Sequence, residues 1–144
     1  MLKKPVISLV FVMFISLSVR VFAAEKGQDM LFIVTSPDAQ TQMMSMVLST
    51  QSFKKGANVS ILFCGPGADI TLKGSKETKF KPIDKSPQML LKGLVENGVS
   101  VQICPLYLPS KDLTIDALIP GVTQANPSAI ADQMIQPGTK ISTF

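Results

Sequence analysis

The chain contains no histidine and no tryptophan, one tyrosine and only two cysteines in 144 residues. The lack of histidine excludes a Ser–His–Asp triad, a Cys–His dyad, His-ligated metals and imidazole proton transfer. With a single tyrosine and no tryptophan there is little aromatic surface on which nucleobases could stack. Two cysteines are too few for a disulfide-dense miniprotein. Disorder is excluded from the other side: hydrophobic residues make up 46% of the chain and mean hydropathy is +0.32, too apolar for an unfolded chain.

Part of that apolarity belongs to the first two dozen residues, which read as a secretory signal at 1–23. Lys3 and Lys4 supply the positive start, Pro5 to Val19 carries no charge, and Val21-Phe22-Ala23-Ala24 offers small residues for cleavage. The alternative is an uncleaved anchor, but a spanning helix needs about 20 apolar residues and Arg20 interrupts the run. Removing Lys3, Lys4 and Arg20 from the 14 basic residues leaves 11 against 10 acids. The basic pI of 9.2 is therefore largely a property of the leader, and no electrostatic case for nucleic-acid binding remains. Residues 24–144 are expected as one domain, periplasmic or secreted, with no stable membrane insertion after cleavage.

That remainder alternates short β-branched runs with helical patterns, the signature of an α/β fold with a parallel sheet. Met30–Thr35 is a continuous apolar run of strand length, as befits a strand covered on both faces. Ser36-Pro37 is read as a cap with proline at the first helical position, followed by Ala39, Met43, Met46, Val47 and Phe53 at helical spacing up to Gly56. Val59–Cys64 and Val99–Cys104 are the second and third strands. Between them, Gly65-Pro66-Gly67-Ala68-Asp69 is a turn and 70–85 a lysine-rich loop. The helix that follows opens on Ser86-Pro87 and ends before Gly98. Leu118–Val122 suggests a short fourth strand or its approach. Asn126-Pro127 opens a last helix with Ile130, Ala131, Met134 and Ile135 on its apolar side, and Lys140–Phe144 is the fifth strand.

Both cysteines fall at the carboxyl ends of predicted strands, which is where open parallel sheets bind ligands. With a strand order of 2-1-3-4-5, Cys104 lies beside Ser36 and a helix start, whose positive end favours a thiolate. A positioned thiolate needs no histidine, and sulfur transfer is chemistry of that kind. Against this stands a buried, inert core cysteine, a reading that weighs more heavily on Cys64. A third possibility is a Cys64–Cys104 disulfide closing a loop of about 40 residues, worth ~4 kcal/mol by chain entropy. The order 2-1-3 opposes it, because two strand spacings of ~4.8 Å exceed the ~7 Å reach of a bridge.

Other features have plainer explanations. Gly65-Pro66-Gly67 lacks both the GxGxxG spacing and a following lysine–serine pair, so it is a tight turn rather than a phosphate cradle. Met43, Met44 and Met46 could suggest a Cu(I) site, but Met43 and Met46 sit on the helix's apolar face and fill the core. The lysines at 73, 76, 79, 81 and 85 are a solvated loop. Asp112 and Asp116 share a face only if that stretch is helical. Neither a metal nor a cofactor is expected.

Val59–Asp69, Pro87–Leu94, Gly98–Cys104 and Tyr107-Leu108-Pro109, taken in this order, resemble the DsrE/DsrF-like family of sulfur-relay proteins, in particular its small secreted single-domain members. The resemblance spans roughly 28–144. It implies a three-layer α/β sandwich with a mostly parallel five-stranded sheet, often assembled into homo-oligomers. It also implies a cysteine after the third strand that holds sulfane sulfur as a persulfide, and that role maps onto Cys104. Ser36, Cys64 and Tyr107 are the accompanying binding candidates. The expected partners are a sulfur donor or acceptor protein, or a small sulfur compound. This chain departs from the relay members in two respects. Pro105 follows the cysteine directly, and no second cysteine or arginine–glycine pair lies just downstream. The competing functional class is a non-catalytic binding or assembly module with inert or bridged cysteines.

Overall fold

A computed structural model describes residues 27–144, so the signal segment expected at 1–23 lies outside the described residues. The elements in chain order are β1 (Asp29–Val34), α1 (Ala39–Lys54), β2 (Asn58–Phe63), α2 (Pro87–Glu96), β3 (Ser100–Ile103), β4 (Thr123–Gln124), α3 (Pro127–Ile135) and β5 (Lys140–Thr143). A 3-10 helix over Gly65–Thr71 fills the start of the long β2–α2 connection. Among the described residues no helix is long and apolar enough to cross a membrane.

Two helix starts follow the expected device. The Ser86 hydroxyl accepts from Met89 N with Pro87 at the first position, and the Asn126 side chain accepts from Ser128 N and Ala129 N with Pro127 behind it. The start of α1 differs. Its cap is Asp38, whose carboxylate accepts from Thr41 N at 2.8 Å, and Pro37 stands before the cap rather than inside the helix. A carboxylate at this position gains from the helix dipole as well as the hydrogen bond, so Asp38 outcompetes the hydroxyl two residues earlier. Ser36 instead accepts from Asp38 N at 3.1 Å.

The inner face of α1 is also more polar than its methionines suggest. Met43 and Met46 are buried as expected, but Gln42, Ser45 and Ser49 share that face while Met44 and Leu48 are exposed. Ser45 and Ser49 donate back to the carbonyls of Gln42 and Ser45, each at 2.8 Å, so their burial leaves no hydroxyl unpaired.

The sheet order is β4-β3-β2-β1-β5 with every pairing parallel. This corrects the 2-1-3-4-5 order: β2 lies between β1 and β3. The physical account is handedness. Three successive steps, β1 to β2 to β3 to β4, run in one direction, and right-handed crossovers keep α1 and α2 on one face. The step from β4 to β5 then leaps back to the far side of β1, and the same handedness puts α3 on the opposite face. The core divides accordingly. Phe32, Val34, Ile61, Phe63, Val101 and Ile103 point into the large cluster with Met46, Leu91 and Leu94. The alternate residues Leu31 and Leu62 face Ile130 and Ala125. The result is the expected three-layer α/β sandwich, with a thin layer on the α3 side.

Strand order reverses at β1, so the topological crevice lies between β1 and β5 rather than beside β3. Main chain closes it. Thr35 N and Ser36 N donate to the Phe144 carbonyl at 2.7 and 3.2 Å, the Thr35 hydroxyl donates to the same oxygen at 3.0 Å, and the Phe144 ring stacks on Phe32.

Candidate functional site at the carboxyl ends of the central strands

Strand register decides where the two cysteines sit. Phe63 pairs with Ile103, and the ladder runs one residue further, since Cys104 N donates to Phe63 O at 2.8 Å and Cys64 N to Val34 O at 2.9 Å. Cys64 keeps an extended backbone, φ −133° and ψ 154°. Cys64 and Cys104 are therefore direct partners on adjacent parallel strands. Residues so paired project to the same face, here the α3 face, and Cys64 packs against the small cluster of Leu31, Leu62, Ala125 and Ile130. The sequence-based objection to contact between the cysteines fails, because it rested on β1 lying between them. Both thiols are free and partly accessible.

Cys64 and Cys104 line a cavity of about 260 Å³ completed by Leu62, Pro105, Ala125 and four α3 residues, Pro127, Ile130, Ala131 and Met134. No charged side chain and no hydroxyl belongs to this lining. Burial, the neighbouring Cys104 charge and the hydrogen bond to Cys104 push the Cys64 thiol up to about 11. Cys64 therefore stays protonated at neutral pH.

The expected helix end beside Cys104 is not that of α1. Ser36 follows β1, a full strand away from β3, and its backbone carbonyl accepts from the Gln42 side chain at 2.8 Å. The helix start that borders the cysteines is α3's, through Pro127, and its first free N–H groups are taken by Asn126. Pro105 turns the chain away from β3, with its carbonyl accepting from Gln124 Nε2 at 2.9 Å.

Tyr107 is not brought to the cysteines either. It is buried at 4% exposure in the large core, and its hydroxyl donates to Asp69 Oδ1. Lys111 donates to the same carboxylate oxygen at 2.7 Å and lies 5.2 Å from the Tyr107 ring centroid. Burial and the Asp69 carboxylate raise the Tyr107 phenol above its ordinary value. Burial pushes Asp69 up, but the bonds from Lys111 and Tyr107 and the Lys111 charge outweigh it and hold the carboxyl below its usual range. Asp69 and Lys111 border a second hollow of about 540 Å³, with Pro37, Gln42, Lys73 and Lys76 on its rim. Sequence reasoning missed this group because 42 residues separate Lys111 from Asp69, and no local pattern joins them. The α3 contribution to the cysteine cavity does carry a signal, because the spacing of Ile130, Ala131 and Met134 puts them on one apolar side of the helix.

The glycine-rich turn is structural. A Cβ on Gly67 would lie 2.7 Å from Val34 O and from Thr35 C, and Gly67 N donates to Thr35 O at 3.0 Å, so the turn packs directly on the end of β1. Among the described residues no three Cys, Asp or Glu side chains gather to hold a metal ion.

No family model matches the chain, and no curated protein matches it. Solved structures do. The ychN protein from E. coli superposes with a TM-score of 0.67 at 16% identity, covering 81% of this chain and 99% of that one. MTH1491, a protein of unknown function from Methanobacterium thermoautotrophicum, gives 0.60 at 14% identity over 81% and 98%. At these identities the likeness establishes the fold, a five-stranded parallel α/β sheet of the YchN and DsrE-like kind.

Proposed function

We propose that this protein binds and passes on sulfane sulfur as a persulfide on Cys104, acting in the periplasm or outside the cell. The observation that carries the reading is the direct pairing of Cys104 with Cys64 at the mouth of an uncharged cavity. The Cys104 thiolate attacks the outer sulfur of a donor R–S–SH. A new S–S bond forms on Cys104, the donor's S–S bond breaks, and R–S⁻ leaves with the electron pair. The lining offers no cation to a thiosulfate dianion, and burying an unpaired charge is costly, so organic persulfides are the fitting donors.

The partners are a donor or acceptor thiol, free or on a protein, and further copies of this chain. Exposed Met134 and Ile135 on α3 support the last of these, and light scattering tests it. For the main reading, intact-mass spectrometry after incubation with cysteine persulfide should show a gain of one sulfur atom on the reduced chain. Cys104→Ser should abolish the gain. Failure of both the wild type and Cys64→Ser to take up sulfur would refute the reading in favour of a binding module with inert thiols.

A further inference from the structure

Cys64 is not the sulfur acceptor in that reading, yet its sulfur faces the same cavity from the directly paired position on the next strand. Resting on the persulfide reading above, we propose that Cys64 is a resolving thiol that discharges the Cys104 persulfide as hydrosulfide and leaves a Cys64–Cys104 disulfide.

Neighbouring strands stand ~4.8 Å apart, inside the Cα window of about 4.4–6.8 Å that a disulfide requires, so the bridge needs no rearrangement of the sheet. The step balances without an outside oxidant. The Cys64 proton passes to the outer persulfide sulfur, and the resulting Cys64 thiolate attacks Cys104 Sγ. The Cys64–Cys104 S–S bond forms as the bond from Cys104 Sγ to the outer sulfur breaks, and HS⁻ departs with the electron pair. Cys64 is oxidised and the outer sulfur is reduced. The proton that Cys64 retains at rest thus serves twice: it keeps Cys64 from competing for the donor, and it then protonates the leaving sulfur. Half-burial in an uncharged pocket limits access to external thiols, so the neighbour outpaces them through proximity. The chain is then a carrier with a timed release, delivering its sulfur to an acceptor promptly or shedding it as sulfide.

The test uses the reduced full domain, loaded with cysteine persulfide and freed of excess donor by gel filtration. Released sulfide and intact mass are then followed over time. Wild type is expected to release one sulfide per loaded chain and to end two hydrogens lighter than the dithiol form. Cys64→Ser, and Cys64→Ala as a check against a folding defect in either variant, should retain the added sulfur at least ~tenfold longer and form no intramolecular bridge. Immediate appearance of the bridged form in wild type, with stable loading of Cys64→Ser, also supports the proposal. If wild type loads and holds sulfur as long as Cys64→Ser, the resolving role is overturned while the persulfide reading stands. If neither protein loads and no bridge appears, both fall.

Discussion

Oxidation of the cysteine pair offers a quantitative check on the register that places the site. Cys64 and Cys104 enclose a segment of about 40 residues containing α2 and β3. Tying its ends together removes loop-closure freedom from the unfolded chain, worth ~4 kcal/mol in the chain-entropy model. Strain would subtract from this, but direct partners on neighbouring strands already stand at bridging distance. With a urea slope of ~1.5 kcal/mol/M for a domain of this size, the midpoint should rise by ~2.7 M. The assay is urea unfolding of the diamide-oxidised and reduced forms at low protein concentration, with non-reducing gels to confirm that the bridge is intramolecular. An oxidised midpoint equal to or below the reduced one would refute the reasoning. It would mean that the ladder does not continue past Phe63 and Ile103 with both sulfurs on one face.

Three further outcomes are expected. Alkylation of Cys64 in Cys104→Ser should follow a titration displaced downward from about 11 but still above the ordinary 9.0, because burial is the largest cause of the rise and survives the loss of the neighbour; a return to 9.0 would contradict that ordering. Asp69 is held below its ordinary 3.8, so its folded form binds protons less readily than the unfolded chain. Its stabilising contribution is present above that value and lost as pH falls through the lower folded one. Lys111→Met should therefore lessen the acid-induced loss of stability below about pH 4, measured by urea midpoints across pH. Gly67→Ala should cost at least ~2 kcal/mol, since its Cβ meets backbone rather than a movable side chain; an unchanged thermal midpoint would show that the turn can lift off β1.

Much of the fold was legible locally. All three helices and four of the five strands lie within a residue or two of where hydrophobic runs and cap-plus-proline pairs put them, because those signals are written in consecutive residues. β4 came a little later than expected, at Thr123–Gln124, since a two-residue strand leaves no alternation to read. Lateral order was not legible. Each β-α-β unit looks the same from within whether the next strand is added to the left or the right, and only the packing of α3 against Leu31 and Leu62 records the choice. That single ambiguity carried over into the site. It separated Cys64 from Cys104 and gave Ser36 a neighbour it does not have. Strand ends alone mark both cysteines; Cys104 is preferred through the resemblance and through a helix start that the observed strand order takes away from it.

The margins of the sheet bear on how copies of this protein can meet. One margin offers the two residues of β4 and the other the four of β5, which begins with Lys140. So few rungs, with a lysine on one of them, make a poor template for adding a foreign strand. Continuous ribbon growth is discouraged at both borders, and any assembly is left to contacts through helices and loops.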